Sequence, residues 1–396
     1  MPSSPQRTPL RADYDVVVAG AGPAGSAAAI TLARAGLYVA LLDRQSFPRT
    51  KPCGDLIGCG GVSLAQALGV EPTVLDHYAT LRGAVVLAPQ SAPLVLTARP
   101  GTLDARVIPR HIFDTALVHA AEVAGATFHH RTVRRLARDD AGRVMGVITE
   151  QDGVTVTLST RAVVGADGYG SRIARAVQGI ETTRAGQVGV ALRAYARQVS
   201  VPDAWQGHLV FAYDEATAPG YGWLMPLPDG TANLGIGTLA SPGATDGASL
   251  RDLFARFLAR TPWLAGAEIT EMYPPRSWPL ALGPRRGVLV ADGVLLVGEA
   301  AALVGPMTGA GIFPALQSGV WAGEILVRAL QRGDVSRGAL LPYERRVYRR
   351  FAPQHRAEAL VQRLLTEPRH LRRLVNAVRP LPFTGAMGAS LLLHLG

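Results

Sequence analysis

Residues 15–25 read DVVVAGAGPAG, an apolar run that enters a glycine-rich turn, Gly20-x-Gly22-x-x-Gly25, and leaves it as a helix over residues 23–35. The spacing is that of a dinucleotide fingerprint. Gly20 permits the tight turn, Gly22 the approach of backbone to a pyrophosphate, and Gly25 close packing of helix on strand. Pro23 and Ala24 open the helix, whose free N–H groups and positive dipole end receive the phosphate charge. Gly36 is a suitable helix stop. A second strand over 37–43 ends on Asp43, 18 residues beyond Gly25, an acid placed for the hydroxyls of an adenosine ribose. The alternative is a glycine-rich turn in some other βαβ unit.

A chain of 396 residues, 48% of them hydrophobic, has material for two or three domains and a sizeable core. It has no apolar run of roughly 18 residues, so no spanning helix is expected. The polar, proline-containing start, residues 1–12, is expected to be a disordered leader. Two cysteines, Cys53 and Cys59, cannot make a disulfide framework and are too few for a zinc or iron–sulfur centre. The nine histidines show no ligand spacing, so no metal is expected, and the chain reads as cytoplasmic. Of the net charge of +10, +7 falls in residues 340–396, with ten Arg against three Glu. Aromatic and basic residues do not interleave as in a nucleic-acid surface, and no such partner is expected.

Along the chain, helices are expected at 61–70, 111–125, 249–260 and 311–331, and a hairpin at 84–88 and 94–97. Short strands are expected near 127–130, 144–150, 154–159 and 162–167. From 187 to 238 the pattern changes to alternating strands, as in an antiparallel sheet of a second domain. An apolar strand of parallel type returns at 292–301. The organisation is thus α/β: a discontinuous nucleotide-binding domain (13–75, 102–178 and 280–335), an inserted sheet domain (76–101 and 179–279) and a C-terminal helical tail (336–396). In that tail Leu371, Leu374, Val375 and Val378 fall at i, i+3, i+4 and i+7, opposite Arg369, Arg372, Arg373 and Arg379. This is the pattern of a basic amphipathic helix, suited either to an anionic membrane surface or to packing on the protein with solvated arginines.

Two further segments separate FAD from NAD(P). In Val163-Val164-Gly165-Ala166-Asp167-Gly168 a buried strand ends in Asp-Gly, and Ser171-Arg172 then open a helix. In Leu295-Leu296-Val297-Gly298-Glu299 a strand ends in Gly-acid, and the glycine-rich loop Gly305-Pro306-Met307-Thr308-Gly309-Ala310-Gly311-Ile312 enters a helix. The acids can accept hydrogen bonds from ribityl hydroxyls, and the loop's N–H groups can polarise a flavin pyrimidine. With these motifs in this order, the chain resembles the FAD proteins of glutathione-reductase type that include aromatic hydroxylases, flavin halogenases and geranylgeranyl reductases. Glu299 departs from the Asp usual there. The resemblance implies an FAD-contacting Arg110, in the Arg-x-x-Phe-Asp element at 110–114, and further FAD contacts at Arg44, Cys53, Gly54 and Val133. A surface arginine capping the helix is the alternative for Arg110.

Two elements are similar to the geranylgeranyl reductase branch: Lys51-Pro52-Cys53-Gly54-Asp55, and Tyr221-Gly222-Trp223-Leu224-Met225-Pro226, where Met225 stands for the usual Phe. The resemblance implies an FAD-dependent oxidoreductase that reduces carbon–carbon double bonds of a prenyl or similar apolar substrate. Tyr221, Cys53 and Trp223 are its candidate catalytic residues, with Tyr221 or Cys53 as proton donor or orienter. Read without it, Tyr221 and Trp223 are a core pair on one strand face and Cys53 a buried small hydrophobe. The rival is an FAD monooxygenase, hydroxylase or epoxidase, on a hydrophobic natural product or lipid; a non-catalytic escort factor without flavin is a third class. NAD(P)H or ferredoxin are the candidate electron donors, and a hydrophobic small molecule or lipid the expected partner. Peripheral contact with the inner face of an anionic membrane is also expected. The oligomeric state is not legible.

Overall fold

The computed structural model describes Leu10 and residues 13–99, 101–179, 188–214, 217–240, 247–264, 266–283, 287–364, 370, 372–373 and 376–377. The expected leader, and most of the amphipathic pattern at 369–379, lie outside the described residues. In chain order the elements are β1 (Asp13–Ala19), α1 (Pro23–Arg34), β2 (Val39–Asp43), β3 (Leu56–Ile57), α2 (Cys59–Leu68), α3 (Pro72–Asp76), β4 (Gly83–Leu87), β5 (Leu94–Thr97), β6 (Arg106–Val107) and α4 (Arg110–Val123). Then come β7 (Thr127–His130), β8 (Thr132–Arg138), β9 (Val144–Gln151), β10 (Val154–Gly165), α5 (Arg172–Gln178), β11 (Val188–Arg197), β12 (His208–Ala212), β13 (Tyr221–Pro226) and β14 (Ala232–Leu239). The chain continues through α6 (Gly247–Ala259), β15 (Glu268–Ala281), β16 (Val290–Ala291), β17 (Val294–Leu296), α7 (Ile312–Gln331) and α8 (Arg337–Leu364).

One sheet has the order β16-β17-β10-β1-β2-β7, with β9 and β8 running off β10. β1 pairs parallel with both β10 and β2, and β10 pairs parallel with β17. Buried on both faces, such strands read as continuous apolar runs. Val16, Val17 and Val18 are fully buried, each stabilising by about 1.5–3 kcal/mol on the transfer scale. The stretches expected as separate strands at 154–159 and 162–167 are one strand, β10, whose first half pairs with β9 and whose second half joins the parallel sheet.

The second sheet has the order β15-β11-β14-β13-β12-β4-β5. It is antiparallel except where β12 pairs parallel with β4, because the β4–β5 hairpin arrives from an earlier chain segment and docks on the sheet's side. β15 was not anticipated: EITEMYPPRSWPLA carries three prolines, which remove ladder donors. It lies at the sheet's edge, where prolines are tolerated. α8 continues past α7 and carries Pro342 and Pro353 within it.

Candidate functional site

One cavity of about 250 Å³ runs between the two sheets. At one end it is lined by Gly22, Pro23 and Ala24 at the N-terminus of α1. This helix has no side-chain cap and no acid in its first turn, so its leading N–H groups are left for a ligand. The turn is fixed by its glycines. Gly20 has φ +108°, and a Cβ there would lie 2.3 Å from the Ala166 carbonyl oxygen; a Cβ on Gly25 would lie 1.8 Å from the Gly20 oxygen. Both therefore sit behind the wall. Asp43, at the end of β2, accepts from Ala21 N at 2.9 Å and Gln45 N at 2.9 Å. Arg44 is exposed beyond it, and Val133 on β8 offers its carbonyl to Arg172.

Basic groups gather beside that turn. Arg49 lies 3.1 Å from Asp114, and Arg110 holds the same carboxylate through two bonds of 2.7 Å. Burial opposes the Asp114 charge, but Arg110 and Arg49 hold its carboxyl below the usual range. Arg110 lines the cavity and is not a surface arginine. The buried Arg49 Nε–H has no hydrogen-bond partner, and a Cβ on Gly22 would lie 3.3 Å from its Nη2. That Nε also lies 3.9 Å from Asp43 Oδ2, so it is the uncapped helix start, with a buried guanidinium held by Asp43 and Asp114 beside it, that fits a pyrophosphate.

The acids of the two other motifs are placed differently from one another. Glu299 lines the cavity, where its longer arm accepts from Lys51 Nζ at 3.0 Å and from Ala281 N at 3.4 Å. Gly168 lines it as well, but the Asp167 carboxylate turns to α5, taking Ser171 Oγ, Arg172 N at 2.7 Å and Ile173 N at 3.4 Å. The orphan N–H groups of a helix start explain why. Gly298 sits behind the wall, donating to Ser318 Oγ. Pro306, Gly309, Gly311 and Ile312 line the cavity along the loop into α7.

Cys53 and Gly54 face this loop from the other side, and Tyr221 and Trp223 of β13 complete the chamber. A Cβ on Gly54 would sit 3.4 Å from Met225 Cε and 3.5 Å from Trp223 Nε1, so the two sequence elements meet. Burial pushes the Cys53 thiol up, and the Arg110 guanidinium beside it opposes this only in part. The Tyr221 hydroxyl donates to the Thr308 carbonyl; burial drives its pKa far above the phenol range. Beside it, its ring centroid 5.7 Å away, Tyr213 also lines the cavity, and burial pushes its pKa up to about 12.

Several participants were not singled out from sequence. Glu358 of α8 accepts from Met307 N, Thr308 N and Thr308 Oγ1, and Gln362 donates to the Pro306 carbonyl. Both lie in a run that reads only as a basic helix. Arg193 and Trp278 line the cavity from the sheet, and Asp55 and Asn233 lie behind it. Asp55 ends the quoted element KPCGD, and Asn233 stands in the stretch DGTANLGIG, residues 229–237, that follows the Tyr221–Pro226 element. For Asn233, its polarity amid the apolar neighbours of β14 was the available signal.

The FAD binding domain family matches residues 13–357. Among curated relatives, the digeranylgeranylglycerophospholipid reductase of Methanothrix thermoacetophila is 33% identical over 339 residues, covering 84% of this chain and 82% of the relative. The menaquinone reductase of Mycolicibacterium smegmatis is 36% identical over 326 residues, 79% of this chain and 76% of the relative. Among solved structures, a geranylgeranyl bacteriochlorophyll reductase-like protein of Thermoplasma acidophilum superposes with TM-score 0.84 at 25% identity, covering 96% and 95% of the two chains. A flavin-dependent brominase shares the fold, with TM-score 0.79 at 20% identity over 97% and 94%. Cleft, motifs and relatives agree, and the chain belongs to the geranylgeranyl reductase family of FAD-dependent oxidoreductases.

Proposed function

We propose that the protein hydrogenates isolated carbon–carbon double bonds of an isoprenoid chain, carried by a lipid or a quinone. The observation that carries this reading is the meeting of Cys53–Gly54, Tyr221 and Trp223 around one apolar chamber, at the far end of a cleft whose near end suits a pyrophosphate. The relatives named for reducing a digeranylgeranyl lipid and a menaquinone support it. Gly22, Pro23 and Ala24 would hold the pyrophosphate, Glu299 the ribityl chain, and the loop 306–312 the pyrimidine edge. Bound FAD supplies hydride chemistry.

The chain's own residues prepare the alkene. Such an alkene is a weak electrophile, so its reduction needs a dry, aligned site. Trp223, Met225, Phe211 and Leu280 give the chamber apolar walls. Tyr221 commits its proton to Thr308, so it ties the substrate sheet to the glycine-rich loop and orients both. The donor of electrons reads as a visitor, NAD(P)H or ferredoxin. Delivery from a lipid surface is supported by the end of α8, where Leu360 and Leu364 are 59% and 54% exposed beside Gln362 at the cavity. No described helix is long and apolar enough to cross a membrane, so contact with an anionic inner membrane face would be peripheral.

The test is anaerobic. Dithionite-reduced enzyme mixed with a polyprenyl lipid or menaquinone should yield reoxidised flavin and a product heavier by two hydrogens. Product that gains oxygen, and only in air, would replace this reading with a monooxygenase. Tyr221→Phe should retain FAD and lose about tenfold in turnover, the equivalent of one hydrogen bond. Unchanged turnover would remove Tyr221 from the site's working parts.

A further inference from the structure

Behind the chamber wall lies a buried polar hub. Asn233 of β14 donates from one Nδ2 to the Cys53 carbonyl at 2.8 Å and to Asp55 Oδ2 at 2.7 Å, and its Oδ1 accepts from Trp223 Nε1 at 2.9 Å. The opposite amide orientation would set oxygen against both oxygens and nitrogen against a donor, so all three bonds demand asparagine as drawn. Asp55 adopts φ +62°, a conformation asparagine and aspartate tolerate better than most residues. Its buried carboxylate also accepts from Tyr195 O–H at 2.5 Å and from Arg110 N at 3.3 Å. The Arg193 guanidinium stacks 4.2 Å from the centre of the Tyr195 ring. Asn233, Asp55 and Tyr195 do not line the cavity; Cys53, Gly54, Trp223 and Arg193, which they hold, do.

We infer that Asn233 is the positioning residue of the site, one side chain that sets both the Cys53–Gly54 turn and the Trp223 indole against the reacting face of the chamber. The Cys53–Gly54 turn comes from a chain segment 180 residues before Asn233, Trp223 from the neighbouring strand, and a single amide gives them a common reference. Asp55 completes the device by accepting from Asn233 Nδ2 and, through Oδ1, from the Arg110 N–H at the start of α4. With its carbonyl held by Asn233, the Cys53 side chain is thereby presented to the cavity in one orientation. Its relevance to turnover rests on the proposed alkene reduction; its effect on the thiol does not.

The thiol supplies a readout independent of substrate. In FAD-loaded Cys59→Ser protein, alkylation of Cys53 by iodoacetamide should be slow, with a pH midpoint above the ordinary thiol value of about 8.5. Asn233→Ala should raise that rate about tenfold or more and bring the midpoint down toward the ordinary value, as the turn is released. Turnover should fall about tenfold with KM changed less than about threefold. Should Asn233→Ala fail to accumulate, Asn233→Ser, which keeps one donor, is expected between the two. Alkylation rate and midpoint within about twofold of the parent, in either folded FAD-loaded variant, would overturn the assignment. A changed thiol in a protein that reduces no alkene would leave the positioning role standing and sink the proposed reaction instead.

Discussion

The two ends of the cleft are built on different plans. The pyrophosphate end comes from one βαβ unit: the turn 20–25, the start of α1 and the end of β2 lie within 31 residues of one another, Asp13 to Asp43. It presents backbone N–H groups, and its shape is enforced by glycines that leave no room for a side chain. The chamber end is assembled from the loop after β2, the strands β11, β13 and β14, the loop before α7, and α8. There the joints are side chains: Asn233 to Cys53, Tyr221 to Thr308, Glu358 to the same loop, Lys51 to Glu299. A local site is rigid because its backbone is forced. A distributed site is only as rigid as its least-held joint, and is also the end where small changes can alter substrate without loss of cofactor.

Substitutions should separate the two ends. The largest effect is expected from Gly25→Val, whose Cβ would lie 1.8 Å from the Gly20 oxygen. A destabilisation beyond about 4 kcal/mol and loss of bound flavin should be read from thermal unfolding and the flavin-to-protein absorbance ratio. A yellow, stable variant would break the idea of a backbone-forced end.

Asp114→Asn should follow at about 3–5 kcal/mol, since two buried guanidinium groups lose their counter-charge. The pH dependence has a definite sign. The folded-state carboxyl lies below its unfolded value, so its contribution is present above the ordinary carboxylate range and is lost as pH falls through the folded-state value. Urea unfolding from pH 7 downward should show that acid limb in the parent and a flatter one in the variant.

At the chamber end, Glu358→Ala removes the acceptor of Met307 N, Thr308 N and Thr308 Oγ1. A cost of about 1–3 kcal/mol is expected, with FAD retained about tenfold less tightly by equilibrium dialysis, since tenfold corresponds to about 1.4 kcal/mol. Unchanged retention would mean that the loop needs no support from α8. Lys51→Met should have the smallest effect. Its pair with Glu299 is partly exposed, 22% and 9%, and such pairs contribute up to about 1 kcal/mol. A two- to fivefold rise in the FAD dissociation constant is expected, and fluorescence titration would measure it.

The same contrast governs what was readable beforehand. Gly20, Gly22, Gly25 and Asp43 declare themselves because their chemistry depends on spacing along the chain. Cys53, Gly54, Tyr221 and Trp223 were legible through resemblance, yet nothing in their spacing said that Gly54 would lie within van der Waals reach of Trp223. Asp167 shows the converse: its position after the strand is as expected, but the nearer demand of α5 for a cap turns its carboxylate away. β15 was missed because its prolines argue against a strand, while an edge position makes them harmless.

The amino-acid order alone determined that a dinucleotide cleft exists and where its glycines stand, because a tight turn, an uncapped helix start and a buried parallel strand are each local in cause. Only the folded chain decided that Arg49 and Arg110 would share Asp114, that α8 would clasp the glycine-rich loop, and that Asn233 would join Cys53 to Trp223. Hydrogen bonds between distant segments depend on how the sheets pack across the cavity, and packing geometry leaves no period in the sequence that made it.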